Sequence, residues 1–143
     1  MKLLDTIRKD AVCSMKDNTS KLLGLEDVIV KNVYENETGC CIELELPRRK
    51  HICPRCQSET ERIHDYRIQR VKDLDMRGAH TYLYLRKRRY VCGDCGKRFY
   101  EENSFLPRFH RVTNRLAAKV ICDFKDLRSA KEIGSKNNVS AQT

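Results

Sequence analysis

The sequence predicts an α+β fold: a small antiparallel β-hairpin, a cysteine-bracketed β-ribbon, and then helices. Three observations carry this. β-rich runs come in pairs between Val28 and Cys92, two Cys-x-x-Cys motifs bracket the second pair, and apolar residues fall at helical spacing after Thr113. With 143 residues, 40% apolar and 34% charged side chains and no Trp, the core is modest and divided among small modules.

Residues 1–24 read as an N-terminal helix or tail, since Leu3, Leu4, Ile7 and Ala11 recur at helical spacing before a polar break at 16–20. Residues 25–46 read as a hairpin: VIVKNVY and CCIELEL are joined by the polar five-residue ENETG, with Gly39 in the turn. Alternation puts Cys41, Glu43 and Glu45 on one face and Ile42, Leu44 and Leu46 on the other, so that one face packs and the other meets water. Residues 47–100 hold the second pair of runs, RIHDYRIQRV near 62–71 and HTYLYLRKRRYVC near 80–92, separated by KDLDMRGA with a turn at Gly78.

Residues 101–143 read as helical. Leu116, Ala117, Val120, Ile121, Phe124 and Leu127 share one helix face, capped by Thr113 or Asn114. SAKEIGSK predicts a second short helix with Ser129 as N-cap and Glu132 completing a capping box. After the turn Asn137-Asn138-Val139, Ser140 would cap a further helix that stops at Thr143. The unit reads either as the start of a truncated helix-turn-helix or as a plain helical hairpin.

The strongest chemical signal is Cys53-Pro54-Arg55-Cys56 followed, after 35 intervening residues, by Cys92-Gly93-Asp94-Cys95. Two such pairs supply four thiolates, the tetrahedral donor set of a structural Zn2+, and the two β-runs between them account for the long gap. That is the layout of a zinc ribbon holding one zinc per chain. A redox Cys-x-x-Cys would follow a buried strand and open a helix, whereas CPRC follows the charged PRRKHI. Four sulfurs leave no open position for water, which disfavours hydrolytic zinc chemistry. His51 stands two residues before Cys53 as a lesser ligand candidate, while Cys13, Cys40, Cys41 and Cys122 lack a partner at ligand spacing.

The net charge is +9 and the pI about 9.2. Residues 47–115 contain 18 basic and 8 acidic side chains, whereas residues 1–46 contain 6 and 9. A basic middle interleaved with Tyr66, Tyr82, Tyr84, Tyr90, Phe99 and Phe109 suits a phosphate backbone; a merely solvated surface is the plain alternative. Arg86, Lys87, Arg88, Arg89, Arg108 and Arg111 are the candidate phosphate contacts, and Ser140 and Gln142 the candidate base contacts. Strand alternation puts Arg86 and Arg88 on one face and Lys87 and Arg89 on the other, so not all four touch one backbone. No run of 18 apolar residues exists to span a membrane. The opening residues carry charges through what would be a signal peptide's apolar stretch, which predicts a cytoplasmic protein whose cysteines bind metal.

From about Leu22 onward the chain resembles the N-terminal part of bacterial insertion-sequence transposases of the ISL-three type. The resemblance rests on CPRC, HDYR, LRKRRYVCGDCGKRF and FLPRFHRVTNRL. In that family a zinc ribbon precedes a helix-turn-helix and a catalytic domain. The resemblance implies zinc on Cys53, Cys56, Cys92 and Cys95. It also implies binding to double-stranded DNA at a mobile element's terminal inverted repeats and a cytoplasmic, nucleoid-associated location. The family's acidic catalytic triad has no counterpart here, so the chain reads as a truncated transposase that is not itself an enzyme. A second reading is a protein-interaction module, forming a homo-oligomer or binding and inhibiting a full-length transposase.

Overall fold

The computed structural model describes residues 20–140 except Leu22 and Leu127. The helix expected over residues 3–11, Cys13 and Gln142 lie outside the described residues. Strands β1 (Ile29–Asn36) and β2 (Gly39–Glu45) form the expected hairpin, joined by two residues rather than five. The Asn36 side chain closes this turn by accepting the Thr38 N–H at 2.9 Å and its hydroxyl at 2.6 Å, so pairing continues as far as Asn36 opposite Gly39. Gly39 has φ +133°, and a Cβ there would strike the backbone of His80, so only glycine fits this approach.

The short strands β3 (His51–Ile52) and β4 (Glu59–Thr60) pair with each other. Strands β5 (Ile63–Met76) and β6 (Ala79–Val91) are longer at their joined ends than expected and meet at Arg77-Gly78. Both turn residues have positive φ, +53° and +78°, the mirror-image turn that matches strand twist. Most of KDLDMRGA is therefore strand. Strand β7 (Arg98–Tyr100) pairs with the end of β6.

The large sheet runs β1-β2-β6-β5, with β2 parallel to β6 and the remaining pairs antiparallel. The first hairpin and the long ribbon strands thus share one sheet across residues 46 and 47. Register brings Ile42 beside Leu83, Leu44 beside Leu85 and Val71 opposite Leu83, and all five are at most 1% exposed. Leu23, Leu25 and Val28 before β1, with Phe105 and Leu106 after β7, complete this core. The opposite face of β2 is only partly wet: Glu43 is exposed as alternation predicts, but Cys41 and Glu45 are buried, Glu45 ion-paired to Lys31 at 2.8 Å.

Helix α1 (Asn114–Asp123) starts at Thr113, whose hydroxyl accepts the Leu116 N–H. Arg111 and Thr113 pair with the backbone of Lys72, and buried Asp73 accepts from Thr113 Oγ1 and Arg115 Nε, each at 2.7 Å. That anchorage explains why a polar segment read as a turn is strand. Helix α2 (Ala130–Lys136) has the expected capping box at Ser129 and Glu132. It packs on α1 through Asp123, which accepts from Asn137 at 2.8 Å and Lys119 at 2.9 Å; these hydrogen bonds, Asn137 first, hold its carboxyl well below the usual range. Leu116 is buried, but Ile121 and Phe124 are largely exposed. Asn138 ties the end of this unit back to the sheet, bonding Tyr82 Oη at 2.7 Å and Lys72 Nζ at 2.5 Å. Ser140 lies just beyond and is not helical.

Candidate metal centre and basic surface

The four cysteine sulfurs of the two Cys-x-x-Cys motifs lie within 4.8 Å of one another. Cys53 Sγ is 3.5 Å from Cys95 Sγ, and Cys56 Sγ is 3.4 Å from Cys92 Sγ. A tetrahedron with zinc–sulfur bonds of about 2.3 Å has edges of about 3.8 Å, so the donors stand near their metal-bound spacing. Each motif is a tight knuckle. In the first, Cys53 N–H donates to Ser58 O at 2.9 Å and Gln57 N–H to Cys53 O at 3.0 Å; in the second, Cys92 N–H donates to Lys97 O at 2.9 Å and Gly96 N–H to Cys92 O at 3.1 Å. Gln57 and Gly96 occupy the same place and share a left-handed backbone, φ +62° and +69°.

The thiols divide electrostatically. Hydrogen bonds with Ser58, side chain first and backbone second, bring the Cys56 thiol down to about 6. Cys95 is pushed up to about 12: the Lys97 N–H favours its thiolate, but burial and the three neighbouring sulfurs outweigh that. Four thiolates together call for a divalent cation, and the donor set fits zinc without an open coordination position. His51 is not in the cluster. Its ring packs on Tyr90 at 4.4 Å, and burial lowers its pKa.

The basic run divides as alternation predicts, and one expectation is corrected. Arg88 is 6% exposed, with its guanidinium on Glu101 (3.3 Å), Glu45 (3.6 Å) and Leu46 O (2.6 Å), so it is a buried structural cation and faces no phosphate. Glu101 also accepts the Arg88 backbone N–H at 2.8 Å. Arg86 is exposed, stacks on Tyr66 at 4.0 Å and reaches Glu45 at 3.7 Å. Arg89 pairs with Asp65 at 2.5 Å.

Lys87 lies over the Tyr100 ring at 5.4 Å, and its ammonium is held below its ordinary pKa by desolvation, with Arg108 adding repulsion against the pull of Glu101. Directly across the ladder from Lys87 stands exposed Arg67. Like charges facing each other across strands are unfavourable. Among the described residues none of Arg67, Lys87, Arg108 and Arg111 has an ion-pair partner. Arg67 did not stand out in the sequence because only the β5–β6 register shows that it faces Lys87.

No helix among the described residues is long and apolar enough to cross a membrane. No solved structure matches the chain. Residues 49–95 match the family described as the zinc-finger of transposase IS204/IS1001/IS1096/IS1165. A transposase for insertion sequence element IS1001 from Bordetella parapertussis is 33% identical over 66 residues, which cover 46% of this chain and 16% of that protein. All four cysteines of the sulfur cluster fall within the matched residues 49–95, which supports a zinc ribbon holding one structural zinc.

Proposed function

We propose that the chain is the DNA-binding portion of an insertion-sequence transposase, recognising the terminal inverted repeats of its element, with strand cleavage and transfer performed by residues outside this chain. The supporting observation is that Arg67, Lys87, Arg108 and Arg111 have no ion-pair partner among the described residues, with Arg67 facing Lys87 across the β5–β6 ladder and Arg108 near enough to repel Lys87. Phosphates would supply the missing counter-charge and release their condensed ions on binding. Arg86 and Arg89 lie on opposite faces of β6 and would add contacts only at the margins. Base contact by Ser140 and Gln142 belongs to the same proposal and requires a helix continuing from residue 140, as in a helix-turn-helix.

No catalytic residue is assigned. Among the described residues the buried carboxylates Glu45, Asp73, Glu101 and Asp123 are each committed to neighbouring cations or amides. The chain is placed in the cytoplasm, on the nucleoid, by the same reading.

Anisotropy of the zinc-loaded chain on duplexes carrying the element's end repeat, and on scrambled duplexes, across a salt series tests this. The expected result is tighter binding to the end repeat, with Lys87→Glu/Arg108→Glu weakening both and flattening the salt slope. Unchanged binding by that variant would overturn the assignment. The second reading, an interaction module, is favoured by Val33 at 48% and Ile121 at 65% exposure on β1 and α1. Mass that rises with concentration, without DNA affinity, would replace the first reading with this one.

A further inference from the structure

Phe109 is 85% exposed and has φ +68°. It is the third residue of a β-turn closed by His110 N–H on Pro107 O at 3.1 Å, a position where a positive φ ordinarily calls for glycine or asparagine. A bulky side chain there is doubly unfavourable, once for its backbone and once for its wet apolar ring. The turn is nonetheless firmly mounted. Gln69 Nε2 donates to His110 O and Lys72 N–H to Arg111 O, each at 2.8 Å, so β5 holds both residues that follow Phe109. The flanking Arg108, His110 and Arg111 are all exposed, and the Arg108 guanidinium lies 4.9 Å from the ring centre.

We propose that Phe109 stacks on a nucleobase, as an aromatic wedge steered by Arg108 and Arg111 on the flanking phosphates. This rests on the DNA-binding reading above. An aromatic ring offered to a protein partner would adjoin further apolar side chains, whereas the exposed residues flanking this one are Arg108, His110 and Arg111, none of them apolar. Proteins that insert Phe between base steps pair it with Arg or Lys in this manner. The base can come from an opened step in a paired duplex or from an unpaired nucleotide; the ring recognises the same π-face in either.

Two duplexes, each with one 2-aminopurine and one of them with a single unpaired nucleotide, separate these sources. The unaltered full chain, zinc-loaded, is expected to change 2-aminopurine fluorescence on binding. Phe109→Ala should abolish that change and weaken affinity about tenfold while leaving the salt slope intact, because no charge is removed. Phe109→Trp should retain both. Phe109→Gly should melt at a higher temperature, its backbone strain relieved, yet bind as weakly as Phe109→Ala. A larger response on the unpaired duplex assigns a free base, and equal responses assign an opened step. Binding by Phe109→Ala with unaltered affinity and fluorescence overturns the stacking role alone. An unaltered chain that binds neither duplex overturns both it and the DNA-binding reading.

Discussion

The two zinc knuckles share a hydrogen-bonding pattern on different sequences, CPRCQS and CGDCGK, yet they are mounted differently. The second is continuous with the large sheet, because β6 enters it and β7 leaves it paired to β6. The first belongs to the separate β3–β4 pair. It is joined to the sheet by Thr60 Oγ1 donating to Val91 O at 2.8 Å, by Val91 N–H on Arg62 O at 2.9 Å, by the His51–Tyr90 ring contact, and by the shared sulfur cluster. Counted from Cys53 and Cys92, His51 and Tyr90 occupy equivalent positions, so the two knuckle hairpins meet through matching residues. Matching backbone hydrogen bonds shape both loops, and the chain around each ties it to the large sheet to a different extent.

The largest test of that difference is removal of zinc. Structural zinc in small peptides contributes on the order of 10–16 kcal/mol, more than any single contact here. A chelator should free the Cys53 and Gln57 amides to exchange while those of Val71, Leu83 and Leu85 stay protected; uniform loss across the sheet would show both knuckles equally dependent. Next in size, Thr60→Val should cost about 1–2 kcal/mol in urea unfolding of the zinc-loaded chain, since it leaves the Val91 carbonyl and the Arg62 amide without a side-chain partner.

Smaller again, Gly96→Ala should destabilise by about 1 kcal/mol through its positive φ alone, since a Cβ there meets nothing within 4 Å, and Gln57→Gly should stabilise by a similar amount. Opposite signs on equivalent positions would confirm that one backbone serves both loops. The smallest effect expected is for His51→Ala, a loss below about 1 kcal/mol, because the lost ring contact is partly offset by removing a buried Nε2 that has no partner. A larger loss would show that the ring contact holds the first knuckle to the sheet more strongly than an ordinary aromatic pair does.

The basic run shows how local pattern and tertiary environment diverge. Arg86, Lys87, Arg88 and Arg89 look alike in sequence, and alternation separates them correctly into two faces. Their environments come from afar: Arg88 is buried by Glu45 and Glu101, Arg89 is neutralised by Asp65, and Lys87 is left facing Arg67. Asp73 is a parallel case, a polar strand residue that reads as turn because Thr113 and Arg115, its partners, lie about 40 positions on.

By itself the sequence determined what depends on neighbours a few residues apart. The cysteine spacing fixed the zinc knuckles, Thr113 and the Ser129–Glu132 box fixed the helix starts, and the alternating runs fixed which strand residues share a face. Tertiary structure decided the parallel pairing of β2 with β6, the lengthening of β5 through Asp73, the burial of Arg88, and the anchoring of the Phe109 turn to β5. Local signals act through covalent spacing and backbone hydrogen bonds that close within one turn. Burial of a charge or a strand edge depends on groups brought together only when distant segments pack, and its energy is set by the partner they supply.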